Sequence, residues 1–213
     1  AMTYVQISVL DESAAGPVAD GAWTAGWGEV AIVERVVGYK KIRFYTHENA
    51  GYGDVRLPEM QMHTTAFWLT VPERARGCDA IDRSSMIDAL RGVGVALETV
   101  ATLALMCDPR DLATALGDRD ARDGDRGAVA PARAGGDARV VYNPTLFIYE
   151  HVPGGTGLAE RIWEQRDVLV ARTLRMAETC ACPLGCPACV GPGESGRKAN
   201  AIELLRSIAP AGA

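Results

Sequence analysis

Four cysteines crowd into CACPLGCPACVGPGE, residues 180–194, with the spacing Cys180-x-Cys182-x3-Cys186-x2-Cys189. A chain that brings four thiols so close has few ways to satisfy them. The second half, GCPAC, has the form of a zinc knuckle, in which a tight turn delivers two sulfurs to one metal and its backbone N–H groups donate to the thiolates. Cys180 and Cys182 would complete a tetrahedral four-sulfur site. Pro183 and Pro187 stiffen the turns, and Gly185 permits backbone angles closed to other residues. One structural Zn2+ is the expected occupant. An iron–sulfur cluster uses the same four thiolates, and a redox dithiol would account for the Cys-x2-Cys half alone. A site closed by four cysteines keeps no open coordination position, so the expected role is structural, contributing on the order of 10 kcal/mol to folding as in small zinc modules.

The start, AMTYVQISVL, lacks a basic region followed by an apolar stretch and a cleavage site. The expected compartment is therefore the cytoplasm, where structural disulfides are rare, and Cys78 and Cys107 read as ordinary thiols. No membrane partner is expected: the most apolar run, MIDALRGVGVALETVATLALM (86–106), carries Asp88, Arg91 and Glu98, which are costly in lipid. The chain has 213 residues, 48% of them hydrophobic, enough to bury a sizeable core. Its net charge of −5 rules out a generally basic surface, so any nucleic-acid contact has to be local or shared with a partner.

The expected fold class is α+β. Residues 1–72 form a β-rich segment, with TYVQISVL, GEVAIVERVV, KKIRFYT and TTAFWLTV as four short strands, and AGPVADGAWTAGWG as a loop exposing Gly-rich turns around Trp23 and Trp27. Residues 73–213 form an α/β zinc-binding segment, the two together one compact unit. Within it, residues 84–107 predict a long core helix, with Ser85 and Asp88 resembling a capping box. Gly92 and Gly94 would weaken that helix unless a neighbour packs against them. Residues 117–139 carry five Asp and five Arg without helix or strand period and read as a flexible solvated loop. TLFIY predicts a buried strand. It leads through PGGTG into an amphipathic helix with Leu158, Ile162, Leu169 and Leu174 on one side, ending at the four-cysteine site, with a last helix in ANAIELLRSI.

Two further stretches join the cysteines in a recognisable set. VVGYKKIRFYTHENAGYGDVRLPEMQMHTTAFWL (36–69) and the series MCDPRDL…TLFIYEHVPGGTGLAE…CACPLGCPACVGP resemble the C-terminal zinc-binding domain of MrfA-type, superfamily-two DNA-repair helicases, formerly a domain of unknown function. The resemblance covers most of the chain from about residue 30 onward. It implies a part of an ATP-dependent 3′-to-5′ helicase in which RecA-like motor domains hydrolyse ATP, while this domain braces the motor and guides single-stranded DNA. The chain has no G-x4-G-K-[ST] loop and no DEAD or DEAH box, so it is expected not to be a catalyst by itself. The motor would then be joined in cis, or in trans if the chain is a free-standing interaction subunit of a repair or defence helicase system. Glu150 stands where the family often has Asp.

Two places are expected to touch DNA. YKKIRFY (39–45) interleaves Lys40, Lys41 and Arg43 with aromatics, so that a strand could turn cations to one side and pack its other side on the core; an edge strand protected by lysines explains the same letters. Gly154, Gly155, Thr156 and Gly157 precede a helix N-terminus, where free N–H groups suit a phosphate, or simply permit a tight turn. His47, His63 and His151 have no ligand-pair spacing. Asp108, Asp111, Glu150 and Glu160 would have to converge for a metal-dependent nuclease, the least favoured reading, since Asp after a helix end usually organises a turn.

Overall fold

The computed structural model describes residues 2–18, 23–46, 48–71, 83–118, 143–193 and 195–210. It is an α+β structure in which one antiparallel sheet carries two helices on one face and a third packs against those two. The strands are β1 (Met2–Val18), β2 (Trp23–Ile42), β3 (Asn49–Asp54), β4 (Met60–Thr70), β5 (Leu112–Asp118) and β6 (Pro144–Glu150). The helices are α1 (Arg83–Leu105), α2 (Leu158–Thr179) and α3 (Arg197–Ile208). The sheet order is β1-β2-β4-β6-β5, with β3 paired to the far end of β2.

Alternation along the strands sorts side chains between two cores. Phe67, Leu69, Leu146 and Ile148 turn to the helices and meet Leu90, Val93 and Leu97 of α1 and Ile162, Leu169 and Leu174 of α2. Ala66, Trp68, Phe147 and Tyr149 turn the other way, onto Val30 and Ile32. Ile7 of β1 and Ala115 of β5 join this second cluster although their strands end the sheet order on opposite sides, so the sheet curls around it. β6 lies between β4 and β5 and is buried along its whole length, as the apolar run TLFIY predicts. The α2 stripe is also as expected: Leu158, Ile162, Leu169 and Leu174 are all buried.

The β-rich segment differs from its expected layout. GEVAIVERVV and KKI belong to one 20-residue strand, β2, which is long because it pairs in turn with β1, β4 and β3. The stretch expected as an exposed loop is mostly ladder: Ala15 to Val18 pair with Gly26 to Trp23, and Trp23 is fully buried in the helix-side core. The two register shifts in β1, between Val9 and Asp11 and between Glu12 and Ala14, cancel in their effect on alternation, so Ile7 faces one core and Val18 the other. The glycines there serve close approach: an ideal Cβ on Gly26 would lie 2.7 Å from the Trp68 indole nitrogen.

Ser85 and Asp88 do not cap α1. The helix already begins at Arg83, and Asp88 is an interior residue paired with Arg197 of α3. Gly92 and Gly94 have the close neighbours that excuse them. A Cβ on Gly94 would stand 2.9 Å from Leu146 Cδ1, and one on Gly92 3.3 Å from Val190 Cβ. Of residues 117–139, Gly117 and Asp118 end β5, paired to Thr145 and Pro144. The rest of that stretch, together with His47 and Cys78, lies outside the described residues. Among the described residues no helix is long and apolar enough to cross a membrane.

Candidate metal centre

The C-terminal end of α2 delivers the first two cysteines. Cys180 is the C-cap, its N–H donating to Met176 O at 3.2 Å, and Cys182 follows as the chain leaves the helix. The third and fourth come from a turn in which Cys189 N–H and Gly191 N–H both donate to Cys186 O at 3.0 Å. Gly185 adopts φ +115°, and a Cβ there would approach Gly191 O to 2.6 Å, so the turn requires glycine.

The four sulfurs lie within 4.8 Å of one another. Sγ–Sγ distances are 3.5 Å for Cys180–Cys182, 3.7 Å for Cys180–Cys186, 3.4 Å for Cys182–Cys189 and 3.6 Å for Cys186–Cys189. A tetrahedron with metal–sulfur bonds of about 2.3 Å has edges of about 3.8 Å, so the sulfurs stand close to the corners that zinc needs. The expected N–H donation to a knuckle sulfur is present: Cys186 N–H reaches Cys189 Sγ at 3.3 Å. Burial raises the Cys189 thiol pKa, but the N–H groups of Cys186 and Val190 and the neighbouring thiols outweigh it and bring it down to about 7. Cys182 goes the other way, to about 11, through burial and its contacts with Cys189 and Cys180.

Two adjacent residues opening α3 tie the knuckle to the core, and no local pattern announced either. Arg197 bonds Asp88 of α1 through two nitrogens, Nε at 2.9 Å from Oδ2, and also reaches the carbonyl of Pro192. Lys198 is buried, its ammonium donating to Cys180 O at 2.6 Å and Cys182 O at 2.7 Å. It also lies 3.6 Å from Cys182 Sγ.

The turn expected to receive a phosphate already holds an anion. Glu150, fully buried at the end of β6, accepts from Ala159 N–H at 2.9 Å and Thr65 Oγ1 at 2.7 Å with one oxygen. Its other oxygen accepts from Thr156 N–H and from Thr156 Oγ1 at 2.7 Å. Gly154 N–H donates to His63 O and Gly155 N–H to Val152 O. The amides of Gly154, Gly155 and Thr156 are therefore engaged within the chain, and the carboxylate occupies the positive end of α2. Burial raises the Glu150 pKa, but these donors prevail and hold it below the ordinary glutamate value.

Three of the four acids of the nuclease reading have tasks of their own. Asp108 and Asp111 build the turn after α1, Asp108 N–H donating to Asp111 Oδ2 at 2.9 Å. Glu150 is the cap just described. His151 lies 3.7 Å from Glu34, and His63 contributes its carbonyl to the Gly154 turn. Among the described residues, the four cysteines are the metal-ligating side chains that converge.

Lys40, Lys41 and Arg43 are all exposed, but not on a strand with one side in the core. The β2–β4 ladder stops at Glu34↔Met60, and beyond Gly38, where β1 also ends, β2 pairs with β3 alone as a two-stranded hairpin. Lys40 stands opposite Tyr52 on one face; Tyr39 and Lys41 share the other, with Lys41 Nζ 5.8 Å from the Tyr39 ring. Phe44 and Tyr45 follow β2 in the connecting turn, 85% and 90% exposed, in edge-to-face contact at 5.3 Å.

Comparison with known proteins agrees with this geometry. Residues 93–190 match the family model described as the MrfA Zn-binding domain, a span that includes all four cysteines and Glu150 but stops short of Arg197 and Lys198. The uncharacterized ATP-dependent helicase YprA of Bacillus subtilis is 29% identical over 174 residues, 82% of this chain and 20% of that protein. An uncharacterized protein of Methanocaldococcus jannaschii is 40% identical over 69 residues, 30% of this chain and 62% of that one. Among solved structures, the helicase MrfA bound to DNA superposes with TM-score 0.68 at 26% identity, covering 98% of this chain and 25% of that one. A further structure of the helicase MrfA shares the fold, with TM-score 0.59 at 21% identity, 96% of this chain and 24% of that one. The chain thus spans about a fifth of the helicase YprA and a quarter of MrfA. The four converged sulfurs lie inside residues 93–190, the part of the chain that is similar to the MrfA Zn-binding domain.

Proposed function

We propose that the chain is the non-catalytic, C-terminal zinc-binding module of an ATP-dependent 3′-to-5′ DNA-repair helicase of the cytoplasm. Cys180, Cys182, Cys186 and Cys189 hold one structural Zn2+. Sulfurs in mutual contact suit a single ion, whereas an iron–sulfur cluster spreads its thiolates over several irons. When bound, zinc supplies a rigid tetrahedral link between the end of α2 and the knuckle, not a reacting centre. RecA-like motor domains supply the hydrolysis, and this module braces them and guides single-stranded DNA. The likeness to MrfA, solved bound to DNA, supports this reading.

The observation that carries the strand-guiding part is the β2–β3 hairpin. It presents a lysine and a tyrosine on each face, with Arg43, Phe44 and Tyr45 at its turn. Cations for phosphate beside exposed rings for bases are the equipment for holding an unpaired strand without reading sequence. The whole chain's net charge of −5 does not favour DNA, so local cations have to supply the attraction, with Arg43 exchanging Glu48, 3.5 Å away, for a phosphate. Glu150 fills the phosphate position at the Gly154–Gly157 turn, which favours the hairpin over that turn as the contact.

Fluorescence anisotropy of a labelled single strand against a salt series tests this. Three phosphate contacts, from Lys40, Lys41 and Arg43, would give a log–log salt slope of about −2, at roughly 0.7 per contact. Replacing all three by alanine should flatten it, and replacing Phe44 and Tyr45 by serine should cost about 1–3 kcal/mol per stacked base. No binding by the intact chain at low salt would leave the module a brace or a protein-interaction subunit, with the strand held by the motor.

A further inference from the structure

Lys198 is a buried lysine. It is 8% exposed, and among the described residues its ammonium makes no ion pair with a carboxylate. Its three protons have three acceptors, the carbonyls of Cys180 and Cys182 and the Cys182 sulfur. Neighbouring Arg197 shows the usual solution, a carboxylate on Asp88. Carbonyl dipoles alone are weak compensation for an ammonium taken out of water, which needs a full negative charge nearby. The nearest candidate is the cysteine cluster. Four thiolates around one dication leave a net double negative charge, itself costly to bury. Four neutral thiols, or two disulfides, would leave the ammonium uncompensated.

We propose that Lys198 is the charge partner of the four-cysteine metal centre: its ammonium neutralises part of the excess thiolate charge and fixes the Cys180–Cys182 limb through two carbonyls. Lys198 is therefore a positioning residue of the zinc site, on a helix that lies beyond the span matched by the family model. It also argues that the folded state holds the cluster as metal thiolates and not as a redox dithiol. The inference rests on the zinc reading above.

The test uses the full chain with Lys198→Gln, Lys198→Met and Lys198→Arg. Zinc content and zinc affinity are measured by competition with a chromophoric chelator, and the Co2+-loaded proteins are compared by absorption. Gln keeps donors for the carbonyls but loses the charge; Arg keeps the charge. Expected is a loss of zinc affinity of about 10–100-fold in Gln and Met, the range for removing an outer partner of a metal ligand, with most of it restored in Arg. The thiolate-to-cobalt band should move to longer wavelength in Gln, because an unshielded thiolate gives up charge more easily, and stay in place in Arg. Should Met fail to fold, the Gln and Arg pair still decides. If Gln binds zinc like the unaltered chain with an unmoved cobalt band, the charge role is overturned while the zinc site stands. If the unaltered chain takes up no zinc, the metal reading falls and this inference with it.

Discussion

Replacing Glu150 by glutamine changes one oxygen for an NH2 in a site that offers donors only. One carboxylate oxygen takes the Ala159 N–H and the Thr65 hydroxyl; the other takes the Thr156 N–H and hydroxyl. The hydroxyls can rotate, but whichever way the amide is placed, its NH2 confronts one backbone N–H. A buried donor left without an acceptor costs about 1–3 kcal/mol, and the remaining bonds fall from charged to neutral strength, so a total of about 3 kcal/mol is expected. The favourable interaction of the carboxylate with the start of α2 is lost as well. At about 2–4 °C per kcal/mol for a chain of this size, the melting temperature should drop by about 6–12 °C. Scanning calorimetry of Glu150→Gln beside the unaltered protein, both zinc-loaded, measures it. The pH dependence carries the sign. The folded pKa of Glu150 lies below its unfolded value, so its stabilisation is complete above about pH 4.3 and is lost as pH falls through the folded pKa. The gap between the two proteins should therefore narrow in acid. A glutamine variant melting within about 1 °C of the unaltered chain near neutrality would refute the reasoning, because that shift is under about 0.5 kcal/mol.

Cys186→Ser should abolish zinc binding and broaden the melting transition, and chelation of the unaltered chain should do the same; an unchanged melting curve would remove the structural role of the site. Asp88→Ala removes the carboxylate from the half-buried Arg197 guanidinium and should destabilise by about 3 kcal/mol, whereas Asp88→Leu with Arg197→Met should cost less than the single change, as denaturant titrations would show. Gly94→Ala is a test of packing against propensity. Alanine favours helix by about 1 kcal/mol, but its methyl would meet Leu146 at 2.9 Å, so a net loss of about 1–2 kcal/mol is expected in the denaturant midpoint.

What the sequence alone determined was local. Four cysteines within ten residues, on turns shaped by Gly185, Pro183 and Pro187, have little freedom to do anything but converge. The apolar run of β6 and the stripe of α2 specify a buried strand and one covered helix face because their periods are those of the backbone. The tertiary structure decided whatever depends on a distant partner. Ala15–Val18 and Trp23–Gly26 look like a Gly-rich loop until β1 and β2 pair and bury Trp23. The basic-aromatic stretch looks like a half-buried strand until β4 stops short and leaves both faces of the hairpin in solvent. The PGGTG turn looks like an anion site, and it is one, for a carboxylate that also meets Thr65, 85 residues earlier in the chain. Lys198 lies 16 residues beyond Cys182, just ahead of the stretch that announces the last helix, and burial next to sulfur alone makes it a candidate part of the metal centre. The physical reason is common to all four: spacing encodes which residues can meet through a turn or along one face, whereas charge compensation, capping and exposure are settled only when remote segments displace the water between them.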